Sequence, residues 1–204
     1  MDKIQENLLA EIADLHGVPE GAYNIRSNGV SVQRNCTANI DIETKNDKSG
    51  IDIYIRPGTK NESVHIPVIL DKNGLKEKVY NDFHIGEGAD VVIVAGCGIH
   101  CGGADDMQHD GIHTFYVEKN ARVKYIEKHY GEGDGNGKRV LNPETVIYLA
   151  EGAYMEMEAT QIKGVDSTVR VTKAKVGDNA KLVIHEKIMT HGNQLAKTDF
   201  IADQ

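Results

Sequence analysis

The amino-acid sequence predicts an all-β protein, built as a parallel β-helix (solenoid) and preceded by one short α-helix. The first observation is the composition: 21 of the 204 residues are glycine, with only four prolines and three phenylalanines. Many glycines among β-branched residues are typical of turns between short strands. The second observation is a single stretch of helical periodicity at the N-terminus. The third is an internal repeat with a fixed corner, which occupies the chain after residue 80.

The first predicted element is a short amphipathic helix. Its apolar positions recur at three- and four-residue steps, which places on one face Ile4, Leu8, Ile12 and Leu15. Gly17 and Pro19 then end the helix. We therefore expect an N-terminal helix and linker over residues 1–21 and a β-helix domain over residues 22–204.

Short strands are predicted between the helix and the repeat. The polar stretch of residues 22–50 contains one alternating run, at residues 38–42. Within residues 50–58, isoleucine occupies every second position from Ile51 to Ile55, as in a strand with one buried face. Residues 63–70 have the pattern of a partner strand. The polar residues between these two segments predict a turn, so we expect them to pair as a hairpin.

The repeat consists of four segments that align without a gap on a shared alanine. The segments are residues 82–94, 114–126, 146–158 and 173–185, anchored on Ala89, Ala121, Ala153 and Ala180. The residue before each anchor tolerates a left-handed backbone, and these residues are Gly88, Asn120, Gly152 and Asn179. Apolar residues alternate on both sides of the anchor. Each unit is therefore a strand, a tight corner with positive φ and a second strand.

The spacing of the anchors favours stacked coils over a sandwich of hairpins. Successive anchors lie 32, 32 and 27 residues apart. One such unit cannot bury its inner face alone, whereas consecutive stacked units can. We therefore predict that the four segments superpose as parallel coils.

Stacking of equal positions brings distant residues together. Cys97 and His129 each stand eight residues after an anchor, and neighbouring coils lie about 4.8 Å apart. The two side chains are therefore expected to be neighbours. Each begins a glycine-rich segment, residues 96–112 and 130–143, which we expect to leave the same edge of the solenoid.

This edge collects side chains that can bind metals or carry sulfur. The candidates are Cys97, His100, Cys101, His109, His113 and His129. Thiolate and imidazole suit zinc, copper or iron, and a thiolate alone suits sulfur transfer. Cys97 and His129 are the main candidates. An imidazolium beside Cys97 would lower the pKa of the thiol, whereas a neutral imidazole would supply a second metal ligand.

The structural interpretation of the cysteines stays open at this point. The spacing of Cys97 and Cys101 is not that of a zinc knuckle, and a free cysteine is often a small buried apolar residue. His100 and Cys101 are weaker candidates, because the loop expected to hold Cys101 gives it no fixed partner. Cys36 stands alone in a polar stretch and is expected to be structural.

Charge and hydropathy exclude several classes of protein. The formal net charge of −8 argues against a nucleic-acid binder, which would present a basic face. The longest apolar run, residues 91–95, is far shorter than the roughly 18 residues of a membrane span, and no signal segment follows the first methionine. Three cysteines without a signal fit reduced thiols. These features predict a cytoplasmic protein.

Three stretches of the sequence resemble the SufB/SufD family of iron–sulfur cluster assembly proteins, and most closely its short members. The stretches are residues 12–29, 108–133 and 185–200, and the most specific part is "GIHTFYVEKNARVKYIEKHYGEG". The resemblance implies a right-handed parallel β-helix and a scaffold role rather than catalysis. It also implies a transient iron–sulfur cluster, a SufC-type ABC ATPase partner, a homodimer or SufB–SufD-type pairing, and a sulfur donor protein.

One departure from the family and two alternatives accompany this interpretation. Longer family members continue into a C-terminal helical region that docks the ATPase, and we expect that cap to be absent here. A truncated form would then bind the ATPase poorly, and the sequence leaves open whether it still holds the cluster. The first alternative is a metal-dependent β-helical or cupin-like enzyme that uses the histidines and cysteines of residues 97–129. The second is an interaction solenoid without chemistry.

Overall fold

Stacked parallel coils form a β-solenoid of about five turns in the part of the chain that the structure describes. The structure is a computed structural model, and it describes residues 3–13 and 19–204. The predicted helix positions Leu15 and Gly17 lie outside the described residues. In the described part, 62% of the chain is strand and one short helix is present. The elements are α1 (Lys3–Ala13), β1 (Ala22–Ser27), β2 (Val30–Asn35), β3 (Ile40–Thr44), β4 (Gly50–Ile55), β5 (Lys60–Leu70), β6 (Lys76–Ile85), β7 (Asp90–His100), β8 (Met107–Val117), β9 (Arg122–Glu132), β10 (Arg139–Leu141), β11 (Glu144–Leu149), β12 (Tyr154–Lys163), β13 (Ser167–Val176), β14 (Lys181–Ile188) and β15 (Leu195–Asp203).

The described strands form two sheets that face each other across the solenoid. Sheet A has the order β14-β12-β9-β7-β5-β1-β2, and sheet B has the order β10-β13-β11-β8-β6-β4-β3, with β15 paired to β13. The repeat segments pair in parallel: Asp90 lies opposite Arg122, Arg122 opposite Tyr154, and Tyr154 opposite Lys181. The predicted superposition of the four segments is therefore confirmed.

Each repeat turns from sheet B to sheet A at the predicted corner. The residue before each anchor has positive φ: Gly88 at 65°, Asn120 at 57°, Gly152 at 68° and Asn179 at 55°. Adjacent corners are joined by backbone hydrogen bonds, such as the one from the Asn120 amide to the Glu151 carbonyl, 3.1 Å long. The corner prediction is confirmed, because only glycine and asparagine, which tolerate this backbone, occupy the position.

The predicted hairpin of residues 50–70 is wrong. β4 pairs with β3 and β6 in sheet B, whereas β5 pairs with β1 and β7 in sheet A. The polar residues between them form another corner of the solenoid, where Gly58 has φ of 72° and Thr59 is buried. Threonine replaces the alanine anchor at this corner, so the alignment on alanine did not find it. The N-terminal strands also depart from parallel stacking, since β1–β2 and β3–β4 are antiparallel pairs.

Helix α1 packs against the outer face of sheet A. Its buried residues join an apolar cluster with Ile25, Ile69 and Tyr130, and they are Leu8, Leu9, Ile12 and Ala13. Among the described residues, no helix has both the length and the apolar character needed to cross a membrane.

The far end of the solenoid leaves apolar side chains exposed. β14 and β15 carry or adjoin five large exposed residues: Ile188, Met189, Leu195, Phe200 and Ile201. An open apolar groove lies between these strands and is lined by Leu182, Ile184 and Phe200, among others. Inward-facing positions that are covered in earlier coils are therefore accessible at this end.

Candidate functional site

The candidate site begins with Cys97 on β7 and His129 on β9. The two residues are directly paired in the parallel register, as the repeat predicted. They lie on strands rather than in the expected long loops: β7 continues to His100 and β9 to Glu132. The glycine-rich loops are shorter than predicted, because regular pairing continues beyond the corner repeat. Residues 101–106 and 133–138 connect the strands.

The glycines around Cys97 are explained by the helix outside the strand. A Cβ added to Gly96 would lie 2.9 Å from Ile12 Cβ, and one added to Gly98 would lie 3.1 Å from Leu8 Cδ2. Since successive residues of a strand point to opposite faces, Cys97 points into the solenoid while its neighbours face α1. The motif thus combines a close helix–sheet contact with one inward thiol.

A small cavity of about 20 Å³ lies inside the solenoid at Cys97. This volume is near the size of one water molecule. Apolar groups that include Ile66, Val68 and Leu141 form part of its wall. The polar and sulfur-bearing side chains of the wall are all buried, and they are Cys97, His109, His113, Glu127 and His129. The structure therefore brings four of the six candidates to one enclosed space.

Glu127 is the centre of a buried hydrogen-bond network beside the cavity. Tyr125 donates its hydroxyl to Glu127 Oε1 at 2.9 Å, and Arg170 Nη1 donates to Glu127 Oε2 at 2.6 Å. His113 Nδ1 lies 2.6 Å from the Tyr125 hydroxyl, and its Nε2 lies 3.3 Å from Asn81 Nδ2. Both oxygens of the Glu127 carboxylate therefore accept hydrogen bonds, an arrangement that favours its ionised form.

His129 is oriented between Glu127 and the cavity. Its Nε2 lies 3.7 Å from Glu127 Oε1. Its Nδ1 is buried and has no hydrogen-bond partner among the described residues. The next residue in the register is Gln161, whose buried Nε2 is likewise unpartnered within the described chain. Cys97, His129 and Gln161 thus form an inward ladder across three coils.

His109 contacts a second buried carboxylate, that of Glu77. Its Nδ1 lies 2.9 Å from Glu77 Oε1, and Arg26 Nη2 lies 3.1 Å from Glu77 Oε2. Burial raises the pKa of Glu77, but His109 and Arg26 outweigh it, so the pKa is lowered overall. Two carboxylates, Glu77 paired with Arg26 and Glu127 paired with Arg170, therefore act on the thiol.

Burial controls the protonation of the central groups. It lowers the pKa of both His129 and His113 to about 4, against the smaller opposite effect of Glu127. Burial also raises the pKa of the Cys97 thiol well above its usual value, and the charges of Glu77 and Glu127 raise it further. Of the two states of His129 left open by the sequence, these pKa shifts favour the neutral imidazole, beside a protonated Cys97 thiol.

Arg170 keeps Glu127 ionised. Burial raises the pKa of the carboxyl group, but the guanidinium outweighs this and, with His129 and His113, places the pKa far below its usual range. Arg170 itself is also buried, and its Nε lies 3.5 Å from Glu186 Oε1. The network therefore runs from the cavity towards the exposed end of the solenoid.

The other two candidate residues lie elsewhere. His100 is partly exposed, with Nδ1 3.2 Å from Glu132 Oε1. Cys101 begins the loop after β7, where it is fully buried, and its Sγ contacts the carbonyls of Gly103 at 3.7 Å and Asp105 at 3.8 Å. The expectation that Cys101 sits without fixed contacts is wrong, because the glycine loops stack tightly over it.

Sequence reasoning missed Glu127, Arg170 and Tyr125 as site residues. The signal was present in the alternation of β9: Val123 and Tyr125 point inward, so Glu127 and His129 must do so as well. A charged residue at an inward position needs a partner. That partner, Arg170, comes from β13 and is 43 residues away, outside any local pattern.

The described side chains do not form a metal centre by themselves. No group of three or more histidine, cysteine or acidic residues in residues 3–13 and 19–204 is arranged to hold a metal ion. Cys97 and His129 are two donors, fewer than the four ligands of a usual iron–sulfur cluster. This part of the chain alone therefore does not provide a complete cluster site.

Comparison with known proteins finds similarity to a curated SufBD family protein. The chain is 28% identical over 188 residues to an iron–sulfur cluster assembly SufBD family protein of Archaeoglobus fulgidus, covering 77% of this chain and 49% of that protein. The chain thus spans about half the length of the curated relative. No protein-family model matches the chain, and no solved structure does. This similarity agrees with the resemblance to the SufB/SufD family seen in the sequence.

Proposed function

We propose that this protein is a scaffold component of a SUF-type system, rather than an enzyme, and that Cys97 receives sulfur. The similarity to the SufBD protein supports a role in iron–sulfur cluster assembly. The observation that carries the residue assignment is the register pair of Cys97 and His129 at one buried cavity. A thiol beside an unpartnered imidazole nitrogen suits sulfur uptake, with the iron–sulfur cluster as a transient cargo.

We further propose that the protein works in a complex. The partners would be a SufC-type ATPase, a sulfur donor protein and a second solenoid, in a homodimer or a SufB–SufD-type pair, in the cytoplasm. The exposed apolar residues of β14 and β15 support an assembly at that end. Cluster ligands additional to Cys97 and His129 would then come from outside the described residues.

The enzyme alternative has less support from the geometry. The carboxylates at or near the cavity are already engaged in contacts within the protein. The carboxylate at the cavity, Glu127, is engaged by Arg170. Asp105 and Asp106, nearby in sequence, contact Asn73 and the Lys138 amide, respectively. These contacts favour a scaffold over hydrolytic chemistry.

A comparison of cysteine variants in cells tests the proposal. In cells that depend on this protein, Cys97→Ser should reduce the activity of iron–sulfur enzymes more than Cys101→Ser, because only Cys97 lines the cavity. Both thiols are buried, so Cys101→Ser is a matched control for loss of a buried sulfur. Normal iron–sulfur enzyme activity with both variants would remove Cys97 from the proposed role.

A second measurement tests the scaffold role itself. The purified protein, mixed with its ATPase partner, is incubated anaerobically with iron and sulfide. A scaffold should develop visible charge-transfer absorption, and Cys97→Ser should weaken it. A colourless complex would favour the interaction solenoid without chemistry.

A further inference from the structure

We propose that a polar pocket at the loop edge of the solenoid binds a phosphate group. The pocket lies between the loops of residues 133–138 and 189–194, and its volume is about 460 Å³. Of the described residues, none lines both this pocket and the cavity at Cys97. The inference goes beyond the proposed function and does not depend on it.

Three successive coils build the pocket. The Arg139 carbonyl accepts from the Asp166 amide at 2.9 Å, and the Asp166 carbonyl accepts from the Leu195 amide at 3.0 Å. The turn before β15 is closed in two ways. Its His191 carbonyl accepts from the Gln194 amide at 3.2 Å, and Gln194 Oε1 accepts from the His191 amide at 2.9 Å. Hydrogen bonds therefore fix the segments that line the pocket relative to one another.

Asp166 is the one acidic residue among the described residues that line the pocket, and its charge is already paired. The Arg139 amide and Nε donate to Oδ2 at 2.8 and 2.9 Å, and Nη2 lies 3.3 Å from Oδ1. Burial raises the pKa of Asp166, but Arg139 outweighs it, so the pKa is lowered overall. Asp106, whose carboxylate accepts from the Lys138 amide, and Asp134 adjoin the pocket in sequence but do not line it. The described lining therefore offers no free carboxylate that would repel an anion.

The other polar side chains of the lining supply hydrogen-bond donors. Lys138 contributes an ammonium group with three N–H donors, and Asn136 and Asn193 contribute amide groups. Ser167 adds a hydroxyl. Within residues 3–13 and 19–204, none of these four side chains has a hydrogen-bond or ion-pair partner. One unpaired positive charge among uncommitted donors suits a ligand that is an anion with several acceptor oxygens.

The number and placement of the donors favour phosphate over a carboxylate. Arg139 uses three of its five N–H groups within the protein, two on Asp166 and one on the Gly133 carbonyl at 3.2 Å, which leaves two. The donors come from several segments, and a phosphate group presents oxygens in all directions, whereas a carboxylate presents two on one side. The formal net charge of the chain is −8. A general attraction of anions to a basic surface is therefore not the cause of such binding.

The size of the pocket allows two sources of the phosphate group. Pockets for small molecules span about 300–1,000 Å³, and this pocket lies in that range. The ligand is therefore either free phosphate or the phosphate end of a larger molecule such as a nucleotide. The chemistry recognised by Lys138 is the same in both cases.

Binding is measured by NMR of the full chain at constant ionic strength, with the backbone amides as reporters. Inorganic phosphate should shift the amides of Gly135, Gly137 and His191 in a saturable way. Adenosine diphosphate is the second probe. Tighter binding of the nucleotide assigns the pocket to a larger ligand, and equal binding assigns it to phosphate alone. Acetate is the carboxylate probe and should bind more weakly than phosphate.

Variants of exposed residues locate the site without disturbing the core. Lys138→Met should weaken phosphate binding by about 10-fold or more, the effect of losing one charged hydrogen bond. Lys138→Arg keeps the charge and should retain more of the affinity. Asn193→Asp adds a carboxylate to the lining and should abolish binding. Lys173→Met is the matched control, since Lys173 lies outside the pocket and pairs with Glu144 at 2.7 Å.

Three results would overturn the inference. The first is the absence of saturable shifts with both phosphate and the nucleotide. The second is a loss of affinity in Lys173→Met as large as that in Lys138→Met, which would show nonspecific attraction. The third is acetate binding as tight as phosphate binding. Iron, sulfide and the ATPase take no part in these measurements, so failure here leaves the scaffold proposal unaffected.

Discussion

The two halves of the solenoid interior differ in content although they share one strand geometry. Along β9, the half next to the corner buries Val123 and Tyr125, whereas the half beyond it buries Glu127 and His129. The neighbouring strand β12 repeats the pattern, with Met155 and Met157 in the first half and then Gln161. The alternation of inward positions is the same in both halves. The difference shows that alternation determines which residues face inward, but not whether those residues are apolar or polar.

The corner half is a continuous apolar core. Phe83 and Phe115 stack with ring centroids 4.5 Å apart, and Tyr125 packs on Phe115 at 4.8 Å. Both phenylalanines are fully buried. Apolar burial on this scale stabilises any sequence with the right pattern.

The polar half buries charges that the fold does not require. Glu127 and Arg170 are both almost fully buried and form an ion pair of 2.6 Å. Desolvation of such a pair offsets much of its attraction, and apolar replacement of both partners is often neutral. The polar half is therefore expected to contribute less to stability than the apolar half.

Phe115→Ala should give one of the largest losses of stability, because it leaves a hole in the apolar half. The expected decrease in the free energy of unfolding is about 3–5 kcal/mol, measured by urea denaturation. Phe115→Leu, which fills most of the space, should cost clearly less. Equal effects of the two variants would show that this half is loosely packed.

Glu127→Gln should lower the free energy of unfolding by a similar amount. Unlike the loss caused by Phe115→Ala, this loss should be restored by a second substitution. The single variant leaves Arg170 buried without its charged partner, with an expected cost of about 3–5 kcal/mol. Adding Arg170→Met should recover most of that loss, because no unpaired charge remains. A double variant as unstable as the single one would show that the pair itself supports the fold.

Acid should weaken the polar half selectively. The pKa values of His113 and His129 are about 4 in the folded protein and near 6.5 when exposed. Between these values the unfolded chain binds more protons, so stability is lost as pH falls from about 6.5 to 4. The difference corresponds to on the order of 3 kcal/mol per histidine. Protonation of Glu127, whose pKa is also lowered, would add to the loss at still lower pH.

Urea denaturation at several pH values measures this dependence, with His129→Gln as the test variant. The variant should lose the part of the slope that His129 contributes, and the slope due to His113 and to His65, whose pKa burial also lowers, should remain. A slope unchanged by the substitution would mean that His129 titrates in the fold as it does in the unfolded chain.

The repeat made the coils predictable, but not the whole site. The anchors fixed the register, and the register paired Cys97 with His129. The Arg170 contact depends on side-chain reach between two sheets, which periodicity does not specify. The effect of burial on the pKa of the Cys97 thiol was also missed. The spacing of residues in the sequence indicates which side chains are close together, but not how far water is excluded from them. Composition also could not reveal that helix α1 packs against Gly96 and leaves no room for a side chain there.

A substitution at the corner, where the apolar half of each coil begins, should have the smallest effect on the free energy of unfolding. Asn120 has φ of 57°, a conformation that costs a β-branched residue about 1–2 kcal/mol. Asn120→Val should therefore lower the free energy of unfolding by that amount. Asn120→Gly should change it little, because glycine occupies the equivalent corners at Gly88 and Gly152. Thermal or urea unfolding of the two variants in parallel separates backbone strain from loss of the asparagine side chain. Equal destabilisation by valine and glycine would assign the cost to the side chain and would remove backbone handedness as the reason for the repeat.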